Sequence, residues 1–293
     1  MNHAKKVKQY YENNTRRFLG FSQDAANKSI HQPLWKEPNF TLEDAFFYSN
    51  KLVLDEIEAY SSNEKISVID LGCGVGSSIF YLQERVKRPT IFYGVTISPT
   101  QVAIAKQRIA KLQLIPSVSF IEADFTNLPA TIPLVDIAFS IEAFAHAADA
   151  HQFFAQISQK LKNGGKLILV DDFLNDALDL SKLDQKGQQA IQDFKYGWLV
   201  NSLKTRKELS TIASNYNLKI IQEENLTPYM RNNSFKHKWI SFLVTSFRWL
   251  YDLLPWKSFY FRSWIGGKGK QYCLRKKIVQ YKHFVFQKAV SGK

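Results

Sequence analysis

The stretch VIDLGCGVGSSIF, residues 68–80, constrains the fold more than any other part of the chain. An apolar, β-branched run reads as a strand ending at Asp70, and glycines follow at 72, 74 and 76. Glycine is needed where backbone must pass close to a ligand or take a positive φ. Ser77 or Ser78 can cap the helix signalled beyond the loop. Strand, glycine turn and helix together form the opening unit of a doubly wound α/β sheet, which binds ligands beyond the carboxyl ends of its strands. A dinucleotide fingerprint would place its third glycine at 77, where Ser77 stands. A generic tight turn and a nicotinamide or flavin site both stay open on this stretch alone.

The rest of the chain repeats the strand–helix alternation. Strands are expected at 65–70, 90–95, 117–123, 134–140 and 165–172, and helical patterns at 77–87, 98–113, 125–130, 149–161 and 205–216. Gly164 and Gly165 in LKNGGKL read as a helix stop before a strand. Two further strands, 217–226 and 276–289, are read as an antiparallel edge on an otherwise parallel, seven-stranded sheet. This divides the chain into an N-terminal helical cap over 1–44, a core over 45–227 and 276–293, and an aromatic, basic lid over 228–275 inserted before the last strand.

Asp70-x-Gly-x-Gly-x-Gly resembles the first motif of class I S-adenosylmethionine-dependent methyltransferases. The resemblance implies a Rossmann-like sheet with S-adenosyl-L-methionine as cofactor. It implies cofactor roles for Asp70, Gly72, Cys73, Gly74 and Gly76, and for Ile141 at the end of the fourth strand. FIEADFTNLP at 120–129 resembles the segment whose acid meets the adenine amino group, which gives that part to Asp124 and sets Phe125 beside the ring. YGVTISPTQ at 93–101 lacks the acid that usually holds ribose. It resembles the second-strand segment of the sterol C-24, tocopherol and cyclopropane-fatty-acid-type methyltransferases. There a hydroxyl and an amide, here Thr96 and Gln101, supply donors and acceptors for ribose. Ser98, before Pro99, caps the next helix and is counted with Thr96 and Gln101 among the residues that the resemblance assigns to the cofactor.

FSIEAFAHAAD at 139–149 resembles the acceptor loop of the sterol enzymes, which implies catalytic roles for Glu142 and His146. With an alkene acceptor, Glu142 would offset a carbocation and His146, at an ordinary pKa near ~6.5, would take a proton. An ordinary i, i+4 helical pair is the plain alternative. Tyr10, Tyr11, His31, Trp35, Trp198 and Trp239 are expected to wall the acceptor pocket. The sterol enzymes' YEYGWG is absent from 10–35, which weakens a sterol as substrate.

The positive charge is concentrated at the C-terminal end. Residues 226–293 carry fourteen Lys/Arg against one acid, Asp252, and the residues before them balance, so the formal net charge of +13 sits in the tail. Interleaved with Trp239, Trp249, Trp256 and Trp264, this segment suits a lipophilic acceptor with an anionic head group, or peripheral membrane contact through 228–275. Nucleic acid is the less expected partner, no metal is expected, and homo-oligomerisation stays open. Two cysteines, Cys73 and Cys273, and no apolar leader run lead to the expectation of a cytoplasmic protein, with a peripheral place at the membrane left open. The favoured reading is C-methylation of an isoprenoid, polyene or lipid-like acceptor. N- or O-methylation of a lipid or natural product is the alternative, and a non-catalytic cofactor-binding module docking on membrane or RNA the outlier.

Overall fold

The computed structural model describes residues 2–21, 31–62, 64–112, 117–231 and 259–290. Strands β1 (Ile66–Leu71), β2 (Thr90–Thr96), β3 (Val118–Glu122), β4 (Val135–Ile141), β5 (Leu161–Leu174), β6 (Leu218–Asn225) and β7 (Val279–Lys288) form one sheet in the order β3-β2-β1-β4-β5-β7-β6. Five adjacent strands, β3-β2-β1-β4-β5, are parallel, and the inner strands β1 and β4 are almost wholly buried, as cover on both faces requires.

Helices α1 (His3–Phe21), α2 (Leu42–Glu58), α3 (Ser77–Arg85), α4 (Pro99–Leu112), α5 (Ala150–Lys160), α6 (Gln185–Trp198), α7 (Arg206–Ser214) and α8 (Phe259–Arg275) surround the sheet. One face, with Val68, Phe139 and Ile168, packs against Leu52 and Val53 of α2, Ile79 of α3, Ala105 of α4, Phe194 of α6 and Cys273 of α8. The other, with Ile69, Ala138 and Leu169, packs against Phe153 and Phe154 of α5 and Leu209 of α7. Alternation along each strand sends neighbouring residues to opposite cores. Among the described residues no helix is long and apolar enough to cross a membrane.

Four expectations change. β6 is the edge strand but is not antiparallel to the set; β7 alone runs against both neighbours, between β5 and β6. The helix expected at 125–130 is a turn. The Asp124 carboxylate accepts from the backbone N–H and hydroxyl of Thr126, a local bond that competes with helix formation. The Gly164 break lies inside β5, which starts at Leu161; Gly164 has φ +75°, and the β4–β5 pairing shifts register beside this segment. Helix α6 was not anticipated. It pairs with α8 so closely that a Cβ on Gly197 would overlap the backbone of Gly266. Residues 232–258 of the expected lid, Trp239 among them, lie outside the described residues.

Candidate active site

A cavity of about 500 Å³ opens at the carboxyl ends of the strands, bordered by residues of α1, α6 and α8. Its first half is built by the glycine loop. Gly72 has φ +93°, and a Cβ there would overlap that of Ala143, so only glycine lets the loop pass the fourth strand's exit. Gly76, with φ +84°, is equally hemmed by Phe120. Thr96 closes β2 and donates to the Gln101 side-chain oxygen at 2.6 Å. Ser98 accepts from the Gln101 backbone N–H at 3.1 Å, which starts α4 as expected. Asp124 and Phe125 complete this half, with Phe125 packed edge-on against Phe153. Behind the wall Asp70 is buried, one of its oxygens lacks a hydrogen-bond partner among the described residues, and burial raises its pKa.

The second half is denser in charge. Glu142 follows β4 with φ 53°, an unusual conformation for a side-chain-bearing residue that costs about 1–2 kcal/mol. Its backbone N–H donates to the Val170 carbonyl, and its carboxylate accepts from the Tyr281 hydroxyl at 2.7 Å and the Gln32 backbone N–H at 2.6 Å. These bonds hold it in place. Asp171 is fixed by the backbone N–H groups of Ala145 and Asp172, and burial beside Asp172 pushes its pKa up to about 7. Lys270 of α8 pairs with Asp172 at 2.6 Å, both almost fully buried. Burial pulls the Lys270 pKa down, but Asp172 and Glu142 outweigh it, and the net shift is upward. The Lys270 ammonium also lies over the Trp198 and Tyr281 rings, at 5.2 Å and 5.4 Å.

His146 departs from an ordinary imidazole. Its Nδ1 lies 3.4 Å from the Leu199 carbonyl, which can only accept, so Nδ1 carries the proton and Nε2 accepts from the Tyr11 hydroxyl at 3.0 Å. Burial lowers its pKa to about 4. The ring is therefore neutral at pH 7.

The cavity wall brings together Gly72, Cys73, Gly74, Thr96, Gln101, Asp124, Phe125, Ile141, Glu142 and His146 with Tyr10, Tyr11, His31 and Trp198. Asp70, Gly76 and Ser98 stand behind it, and Trp35 lies elsewhere, under the Arg231 guanidinium. Sequence reasoning passed over Asp171, Asp172, Tyr281 and Thr15. The signal for the first two was a pair of acids ending a buried strand; for Tyr281 it was the alternation of β7. Thr15 offered none. Among the described residues no three His, Cys, Asp or Glu side chains converge as a metal site.

Residues 62–233, more than half of the chain, match the family model described as a methyltransferase domain. The chain belongs to this family. It is 24% identical over 180 residues to the sterol 4-C-methyltransferase strm-1 of Caenorhabditis elegans, covering 61% of this chain and 52% of that one. The match thus spans about half of that relative's length. Among solved structures it resembles the cyclopropane synthase MmaA2 of Mycobacterium tuberculosis (TM-score 0.74, 16% identity, 98% of each chain). It also resembles the geranyl diphosphate C-methyltransferase of Streptomyces coelicolor A3(2), solved with Mg²⁺, geranyl-S-thiolodiphosphate and S-adenosyl-L-homocysteine (TM-score 0.72, 16% identity, 99% of each chain). At such identities the two structures speak for the fold alone. S-adenosylmethionine is the family's cofactor, and the first half of the cavity fits it. The space beside Gly74 is open, Asp124 offers a carboxylate, and Thr96 with Gln101 offer hydroxyl and amide groups.

Proposed function

We propose that this methyltransferase acts on a lipophilic, isoprenoid or polyene-like acceptor and methylates it at carbon. Bound S-adenosylmethionine supplies an electrophilic methyl group on sulfur. The observation that carries the proposal is the Glu142 carboxylate, pinned by Tyr281 and Gln32 on a wall it shares with Tyr10, Tyr11 and Trp198. An alkene that gains a methyl cation becomes a carbocation. Fixed negative charge and aromatic faces stabilise it without reorganising at the moment of reaction.

The Tyr11–His146 pair is proposed to remove the proton. A pKa of about 4 makes His146 a weak base toward neutral molecules, yet a C–H beside a carbocation is acidic enough to be taken by one. Tyr11 donates to Nε2, so a proton gained by its oxygen can leave through the imidazole. The Asp172–Lys270 pair is internally compensated and leaves the negative bias to Glu142. Basic residues of 232–258 are the proposed receivers of an anionic head group or membrane surface. In this reading 1–44 is a cap and 228–275 a lid on the remaining core.

Glu142→Gln should cut turnover about a hundredfold while calorimetric affinity for S-adenosylhomocysteine changes less than twofold. Normal turnover would remove Glu142 from the mechanism, and no binding of cofactor or product would remove the methyltransferase itself. A second reading, O-methylation, is favoured by Asp171, which reaches about 7 on the same wall and suits a general base toward a hydroxyl. Mass spectrometry of methylated product from alkene and hydroxyl acceptors separates the two.

A further inference from the structure

The acid absent from the end of β2 has a counterpart on another element. Glu12 of α1 reaches the start of α4, where one carboxylate oxygen accepts from the Ser98 hydroxyl and, at 3.2 Å, from the Thr100 backbone N–H. The other accepts from the Thr100 hydroxyl at 2.6 Å. Three donors at a helix N-terminus suit a carboxylate, and its pKa is lowered: burial raises it, but the bonds to Ser98 and Thr100 outweigh that. Glu12 is not on the cavity wall. Thr15, one helical turn further on, is, and its hydroxyl accepts from the Gln101 side-chain nitrogen at 3.2 Å. Thr96, Gln101 and Thr15 thus form one buried chain of hydroxyl and amide groups, open to the cavity on one side and fastened by Glu12 from behind.

We infer that helix α1 completes the ribose corner: Thr15 is a cofactor-facing hydroxyl beside Gln101, and Glu12 is the positioning residue that holds both in register. The inference rests on the reading of Thr96 and Gln101 as ribose ligands. Ribose hydroxyls compete for the groups that Thr15, Gln101 and Thr96 now offer one another, so cofactor and α1 share one network. A carboxylate acting from an N-terminal helix replaces the one that usually stands on the second strand. The ribose is then held by neutral groups, and the charge is spent on aligning them.

The test is calorimetry with S-adenosylhomocysteine and its 2′-deoxy and 3′-deoxy analogues, on the full chain. Thr15→Val is expected to weaken S-adenosylhomocysteine about fivefold, and Glu12→Ala about tenfold. Glu12→Gln, which keeps the shape and most bonds, should restore binding to within about threefold. The decisive sign is that the Thr15→Val and Glu12→Ala losses shrink on at least one deoxy analogue, which a merely structural role of α1 would not produce. Equal losses on all three ligands, or no loss in either variant, would overturn the inference. Thr96→Ala combined with Gln101→Ala separates the two levels. Normal binding by that variant defeats the ribose reading itself; weakened binding beside unaffected Glu12 and Thr15 variants defeats only the role of α1.

Discussion

The two halves of the cavity solve opposite problems with neighbouring strands. The cofactor half, from Gly72 to Phe125, is shaped by missing side chains and neutral hydrogen bonds, and its carboxylates stand at the edge (Asp124) or behind the wall (Asp70, Glu12). The acceptor half, from Glu142 to Lys270, packs two carboxylates and an ammonium into buried positions and holds a third carboxylate, Glu142, half-buried beside them. A cofactor of fixed structure needs shape, which backbone supplies at little electrostatic cost. A reaction that creates charge needs charge already in place, which is expensive to bury and must be held by partners. The halves touch at one seam, where Gly72 passes Ala143, the residue after Glu142.

The largest effect should come from unbalancing the acceptor half. Lys270→Met leaves Asp172 uncompensated in a buried site, which costs about 3–5 kcal/mol of unfolding free energy, measured by urea titration. Adding Asp172→Asn should recover most of it. A single variant as stable as the parent would show that this half does not carry its charge as a buried pair. Next comes the seam. Gly72→Ala should cost about 2–3 kcal/mol and weaken S-adenosylhomocysteine roughly a hundredfold, because φ strain and overlap with Ala143 add. Gly74→Ala, also at positive φ but with nothing within 4 Å of the added carbon, should cost only about 1 kcal/mol. Equal losses for the two glycines would deny the seam.

The same contrast explains what could be read from the chain beforehand. The glycine loop and the seven strands follow from local pattern, while the wall residues from Gly72 to Gln101 follow from the resemblance of short motifs, since each lies within a few residues of the turn it builds. Asp171 and Asp172 were visible as acids ending an apolar strand, but nothing local says that Lys270, a hundred positions on, turns inward. Its segment reads as part of the aromatic, basic lid because pairing across α8 and β5 is a tertiary event. The turn at Asp124 carries the sequence signal of a helix because side-chain capping and helix starts use the same residues. Glu12 reaches α4 across eighty-odd positions, and no spacing rule connects them.

The smallest effect concerns pH and should fall on the acceptor side of the sheet. His283 lies on β7 two residues beyond Tyr281, is almost fully buried, and has no hydrogen-bond partner on either ring nitrogen among the described residues. Burial lowers its pKa to about 4, although Glu56 and Glu224 pull upward. The folded-state value lies below the unfolded ~6.5, so His283 costs nothing above pH 6.5; stability falls as pH drops from 6.5 to 4 and levels off below. Asp171 acts with the opposite sign over part of this range: its folded value of about 7 exceeds the unfolded one, and the folded state gains as pH falls from 7 toward 4. The parent's acid limb is therefore a contest between buried imidazoles and a buried acid, and only a difference between variants isolates one of them. His283→Leu, compared with the parent by urea titration, should shift the stability difference by about 1 kcal/mol in the variant's favour on going from pH 8 to pH 5.5. S-adenosylhomocysteine affinity should follow the same course in both proteins over that interval, since His283 is not on the cavity wall. A stability difference that does not change with pH would mean the imidazole is charged or solvated in the folded state. An affinity that follows the His283 substitution would mean the two halves share their electrostatics as well as their seam.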